Sequence, residues 1–132
     1  MIIVNLTQHT ATQAQIDAGV VDLVGEQREA LIEALTFDHL PTPEEVRDRA
    51  EFIADLALCA LLPFDEHGEY TPTDAMIGGA PFLMAPLEQA LTLRCIRTHY
   101  AFSLRESVEV IAEDGSVRKE SVFAHKGFVP AG

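Results

Sequence analysis

The feature that most limits what this chain can fold into is its alternation of short apolar runs with stretches of helical period. Ile2-Ile3-Val4, Ala75-Met76-Ile77 and the segment from Thr98 to Ser103 read as strands. Between them, apolar residues recur at helical spacing: Leu31, Ala34 and Leu35 within 25–37, then Val46, Ala50, Ile53, Leu56, Ala57 and Ala60. Strands separated by helices imply right-handed crossovers and a parallel central sheet with helices on both faces.

Local signals place the boundaries. Residues 12–18 predict a short helix, capped by Thr10 or Thr12 and stopped at Gly19, and 20–23 a short strand or a loop. Thr42-Pro43-Glu44-Glu45 is the clearest helix start, with a capping threonine, a proline at the first helical position and a glutamate completing the capping box. That helix is expected to run to about Leu62 and end at Pro63, followed by a polar connection over 64–74. Pro86 is read as opening a helix that carries Leu87, Ala90, Leu91 and Cys95. Residues 107–112 and 117–123 flank Glu113-Asp114-Gly115-Ser116, a hairpin turn, and Gly127 and Pro130 mark a loose tail.

A length of 132 residues suits a single domain spanning 1–132. With 48% hydrophobic and 23% charged residues, the chain has enough apolar material for a core. No run approaches the roughly 18 apolar residues that a membrane span requires. The start, Met1-Ile2-Ile3-Val4-Asn5, lacks the basic region and longer apolar run of a signal peptide, so a cytoplasmic location without membrane contact is expected. Cys59 and Cys95 form no CxxC pair and are expected to be free and buried, with no structural zinc site and no cofactor. The net charge is −12, and the segment from Asp38 to Asp74 holds ten acids against Arg47 and Arg49. A chain without a basic stripe is a poor partner for duplex nucleic acid, because phosphate contacts require one.

In an open parallel sheet, ligands bind beyond the carboxyl ends of the strands, where strand order reverses. Three segments are expected to converge there: Asn5 to His9, Gly78 to Pro81, and Ser103 to Ser107. The Gly78-Gly79 turn lets a ligand approach the backbone, and a helix starting just after it offers N–H groups and a positive dipole end to an anion. The competing reading is a tight strand-to-helix turn that binds nothing. Arg105 is the candidate anion partner, with Ser103 and Ser107 as hydroxyl donors, and His9 is the candidate for proton transfer. Asn5 and Thr7 complete the candidate ligand-binding set, although tying down the loop is their simpler role. His125-Lys126 follows the last strand and could reach the same edge. No P-loop, GxGxxG or GxSxG string is present, and the five histidines show no metal-ligand spacing.

The opening IIVNLTQHTATQAQI and the later AMIGGAPFLMAPLEQAL, about thirty residues together, resemble in layout the two ligand loops of small stand-alone CRISPR-associated Rossmann-fold (CARF-like) proteins. No lysine stands beside Gly78-Gly79, and no appended effector domain is expected. The order of elements already predicts a small Rossmann-like three-layer α/β domain with a mainly parallel central sheet and a C-terminal antiparallel β-hairpin that extends the sheet or forms a flap over its edge. The resemblance agrees with that fold. It implies a homodimer that binds a small anionic nucleotide or cyclic oligonucleotide, some members cleaving it without metal as ring-nuclease-like phosphodiesterases. On that reading His9 and Arg105 are the catalytic pair. The alternative is a phage or mobile-element interaction module, an inhibitor or adaptor acting through the acidic middle segment.

Overall fold

The computed structural model describes residues 2–60 and 74–131. In chain order the elements are β1 (Ile3–Asn5), α1 (Gln13–Asp17), β2 (Val20–Asp22), α2 (Gly25–Leu35), α3 (Pro43–Ala60), β3 (Asp74–Ile77), α4 (Pro81–Leu93), β4 (Arg97–Ile111) and β5 (Val117–Pro130). They build a five-stranded sheet of order β2-β1-β3-β4-β5. The first three pairings are parallel and β4–β5 is antiparallel. From β1 the chain goes out to β2 on one side and then returns past it to β3 on the other. Right-handed crossovers in opposite directions put α1 on one face of the sheet and α2, α3 and α4 on the other. The result is a three-layer, Rossmann-like α/β domain whose strand order reverses between β1 and β3.

The two faces are covered unequally. Against α2, α3 and α4 the sheet buries Val4, Ala75 and Ile77, with Ile96 just before β4, packed with Leu31, Ile53, Leu83, Leu87 and Leu91. The opposite face has a small cluster of Ile3, Val20 and Met76, with Ala11 and Phe128 beside it. The five-residue α1 buries none of its own residues. Arg94 clamps the helical layer, with Nη2 at 2.5 Å from Glu51 and Nε at 3.0 Å from Asp55 of α3.

Several local signals act as their chemistry dictates. Thr12 and Gln15 form a reciprocal capping box on α1, and Gly19 takes φ 106 where that helix stops. Thr42 accepts the Glu45 amide at 3.1 Å at the start of α3. The hairpin turns through Gly115 at φ 83, and Asp114 accepts the amide and hydroxyl of Ser116 at 2.9 and 2.6 Å. Those two bonds hold the Asp114 carboxyl below its ordinary pKa, the hydroxyl bond contributing most.

Four expectations are corrected. Helix α4 begins at Pro81, and Pro86 lies inside it. The buried face starts at Leu83 and continues through Leu87, Ala90 and Leu91, so burial of one continuous stripe outweighs the backbone bond lost at Pro86. The segment 97–111 is one strand rather than two pieces, because β5 pairs with its whole length. The tail around Gly127 and Pro130 belongs to β5, where Lys126 has no opposite residue, Gly127 takes φ 141 and Phe128 reaches the second cluster. Cys59 and Cys95 are free but exposed, Cys59 on the solvent side of α3 and Cys95 in the turn that follows α4. The expected end of α3 near Leu62 and the connection over 64–73 lie outside the described residues. Among the described residues, no helix is long and apolar enough to cross a membrane.

Candidate functional site

A cleft of about 500 Å³ opens at the carboxyl ends of β1 and β3, where strand order reverses. The loop after β1 supplies Thr7, Gln8, His9 and Thr10, and the start of α1 adds Thr12 and Gln15. The end of β3 contributes Met76 and Ile77, continued by Gly78, Gly79 and Ala80. Tyr100 and Ala101 of β4 and Leu35 of α2 close the wall.

The first loop is held by an amide that never reaches the cleft. Asn5 is fully buried at the end of β1. Its Nδ2 donates to Asp22 Oδ1 at 2.7 Å and to the His9 carbonyl at 2.8 Å. Its Oδ1 accepts the Thr7 amide at 2.9 Å and the Thr7 hydroxyl at 2.6 Å. Asp22 also takes the Ala11 amide at 3.0 Å, and Arg28 of α2 donates to the Gln8 carbonyl at 3.0 Å. The Gln8 and His9 carbonyls and the Thr7 and Ala11 amides are thereby spent on the scaffold, while the Gln8, His9 and Thr10 side chains face solvent. Asn5 is a positioning residue rather than a wall residue, and the Thr7 hydroxyl hydrogen is already committed to the scaffold.

The glycine turn meets this loop directly. A Cβ built on Gly78 would stand 3.5 Å from Thr7 Cγ2, and Gly79 takes φ +142. Helix α4 follows at once, with Ala80 at the N-cap, no side-chain cap and Pro81 in the first turn. Behind the wall, the Tyr100 hydroxyl donates to Glu88 at 2.5 Å. Burial, reinforced by the Glu88 carboxylate, pushes the phenol up to about 12, so Tyr100 stays neutral.

Of the expected site residues, the structure brings Thr7, His9, Gly78 and Gly79 to one cleft and places the others elsewhere. Ser103, Arg105 and Ser107 were expected in a loop at a strand end. They instead lie exposed along β4, past the last β3–β4 pair at Ile77 and Tyr100, because the strand continues as an arm paired with β5. His125 pairs with Ser103 on that arm and stacks edge-on to Phe128 at 4.9 Å. Sequence reasoning missed Tyr100, Ala101, Thr12 and Gln15 as wall residues, and Asp22 as the anchor of the first loop. Asp22 had a usable signal in its place at the end of a candidate strand adjacent to β1.

A second polar cluster lies on the sheet face opposite the long helices. Asp74, fully buried, accepts from His99 Nε2 at 2.7 Å and pairs with Arg97 Nε at 3.0 Å. These bonds compensate a buried carboxylate. Among the described residues, no group of three or more His, Cys, Asp and Glu side chains is arranged to hold a metal ion.

Comparison with curated proteins and with solved structures finds no match. The model of one protein family matches residues 1–129, nearly the whole chain, and the chain belongs to that family, the Uncharacterized protein MJ1673 family.

Proposed function

We propose that the protein binds a small anionic nucleotide in the cleft between the first loop and the Gly78-Gly79 turn. The observation that carries this reading is the composition of the wall. In a chain of net charge −12, no acidic residue among the described residues lines the cleft. The wall instead offers threonines, glutamines, His9 and the open glycine backbone at the start of α4. Neutral donors and a helix N-terminus suit phosphate and ribose oxygens. Within the nucleotide class, the resemblance noted above favours cyclic oligoadenylates.

Among the described residues, His9 is the one imidazole in the wall and the candidate for proton transfer should the ligand also be cleaved. Arg105 lies on the arm, outside the wall, so a phosphodiesterase reading rests on His9 and on backbone N–H groups. The competing interaction-module reading draws on the acidic α3. There Glu45 is engaged by Arg49 and His39, while Glu51 and Asp55 are engaged by Arg94. Internal pairing leaves less of that charge available to a basic partner.

The test is thermal unfolding against a panel of mononucleotides, linear oligoadenylates and cyclic oligoadenylates. A ligand present at about 100 times its Kd raises the unfolding free energy by about 2.7 kcal/mol, which is readily seen as a rise in Tm. No rise with any of them at millimolar concentration overturns the proposal. Chromatography of a stabilising ligand after incubation separates binding from cleavage, and His9→Ala is expected to abolish cleavage while sparing the fold.

A further inference from the structure

From Ala101 onward β4 leaves β3 behind, and with β5 it forms a long two-stranded arm. Side chains alternate across the arm, so its two faces are read directly from the register. One face carries Ser103, Arg105, Ser107, Glu109, Lys119 and Ser121 along its length, with Ile111 and Val117 exposed only beside the hairpin turn. The other carries Phe102, Leu104 and Val108 on β4 with Val122 on β5, all exposed. An isolated two-stranded hairpin is marginal in water, and an amphipathic one calls for cover on its apolar face.

We infer that this apolar face of the arm is a self-association surface, on which a second copy of the chain stacks its own arm about a two-fold axis. The charge pattern selects a second copy. The charged residues on this face are Glu106, Arg118 and Glu120, with Lys126 leaning in from the bulge. They form two internal ion pairs, Lys126 with Glu106 and Arg118 with Glu120, the latter at 2.6 Å. The face is therefore electrically neutral on a molecule of net charge −12. Two such molecules repel through most of their surface, and a neutral apolar face is where they can meet. A basic partner would gain nothing there. A two-fold contact is self-complementary by construction, as like apolar faces require. The inference stands independently of the nucleotide reading.

Sedimentation velocity over about 1–100 µM tests it. The wild-type chain is expected at twice the monomer mass of 14.4 kDa. Added NaCl is expected to tighten the dimer, because it screens the net repulsion without weakening an apolar contact. Leu104→Glu with Val108→Glu is expected to give a monomer with unchanged far-ultraviolet circular dichroism. Should that variant lose structure, Leu104→Thr with Val108→Thr keeps strand propensity and is expected to raise the dimer Kd by at least about tenfold. Ser107→Glu with Ser121→Glu, on the other face, is expected to leave the dimer intact. A monomeric wild type, dissociation by salt, or equal loss from substitutions on either face overturns the inference.

Discussion

Asp22 Oδ1 lies 2.7 Å from the side-chain amide nitrogen of Asn5, joining the ends of two adjacent parallel strands beneath the loop that walls the cleft. The pair works as one unit. Asn5 fixes Thr7 and the His9 carbonyl, and Asp22 fixes the Ala11 amide. A buried amide with all its partners can therefore set the position of a loop whose exposed side chains are free to meet a ligand.

Asn5→Ala is expected to lower the unfolding free energy by about 1–3 kcal/mol, because it removes a fully buried amide and leaves the half-buried Thr7 amide without its acceptor and Asp22 with only the Ala11 amide. Urea denaturation checks this through the midpoint, with the slope unchanged. Asp22→Asn keeps the size but exchanges an acceptor for a donor beside Asn5 Nδ2. It is expected to cost less than Asn5→Ala and to lower affinity for any cleft ligand through the loop.

His39 bridges Asp38 at 2.6 Å and Glu45 at 2.9 Å on the exposed approach to α3. The Asp38 hydrogen bond, followed by that of Glu45, raises the imidazole above its ordinary 6.5. His39 in turn draws Asp38 below 3.8 and Glu45 below 4.5. The imidazolium contribution is complete below pH 6.5 and fades as pH climbs through the raised value. The carboxylate contributions are present above 4.5 and fade as pH falls through the depressed values. The cluster therefore helps most between about pH 4.5 and 6.5, and its effect is small because the groups are exposed. Proton NMR titration of His39 is expected to show the raised midpoint, with Asp38→Asn lowering it more than Glu45→Gln does.

What the sequence disclosed was chiefly what neighbours in the chain decide. The Thr12 and Thr42 caps, the Gly115 turn and the β1 run each depend on residues within a turn or two, and each stands where its local chemistry puts it. Position along β4 was harder. Nothing between Phe102 and Ser107 announces whether a strand stops, because the decision rests with β5, and that choice removes Ser103, Arg105 and Ser107 from the cleft. The same holds for Asn5 with Asp22 and for Asp74 with His99, pairs 17 and 25 residues apart whose partnership exists only in the folded sheet. The Gly78-Gly79 turn was legible because glycine marks backbone need, and Thr7 was found with it because strand order follows from the crossover rule.

Cys95 adopts φ 60, the left-handed region in which a side chain is unfavourable. It occupies the residue after the α4 C-cap, and the surrounding bonds explain why it stays there. The Ile96 amide donates to the Leu91 carbonyl at 3.0 Å, and the Cys95 amide donates to Thr92 at 3.0 Å. These two bonds make a Schellman ending, which glycine ordinarily occupies. Cys95→Gly is expected to stabilise the protein by about 0.5–1 kcal/mol, since relief of backbone strain exceeds the added freedom of the unfolded chain. A rise in the urea midpoint without a change in slope checks it, and a fall would mean that the thiol has a role the exposed site does not reveal.

The adjacent glycines of the cleft separate fold from binding. At Gly79, with φ +142, any side chain strains the backbone, so Gly79→Ala is expected to cost about 1–3 kcal/mol. At Gly78 the added methyl would meet Thr7 Cγ2 at 3.5 Å, an ordinary contact, so Gly78→Ala is expected to keep the stability within about 0.5 kcal/mol. That methyl nevertheless fills the gap between the two loops that wall the cleft. If a nucleotide phosphate lies against the backbone there, Gly78→Ala weakens binding by about tenfold or more while Tm of the free protein holds. Calorimetric titration of the stabilising ligand with both variants decides the matter. Unchanged affinity in Gly78→Ala would show that the ligand sits elsewhere in the cleft, away from the turn.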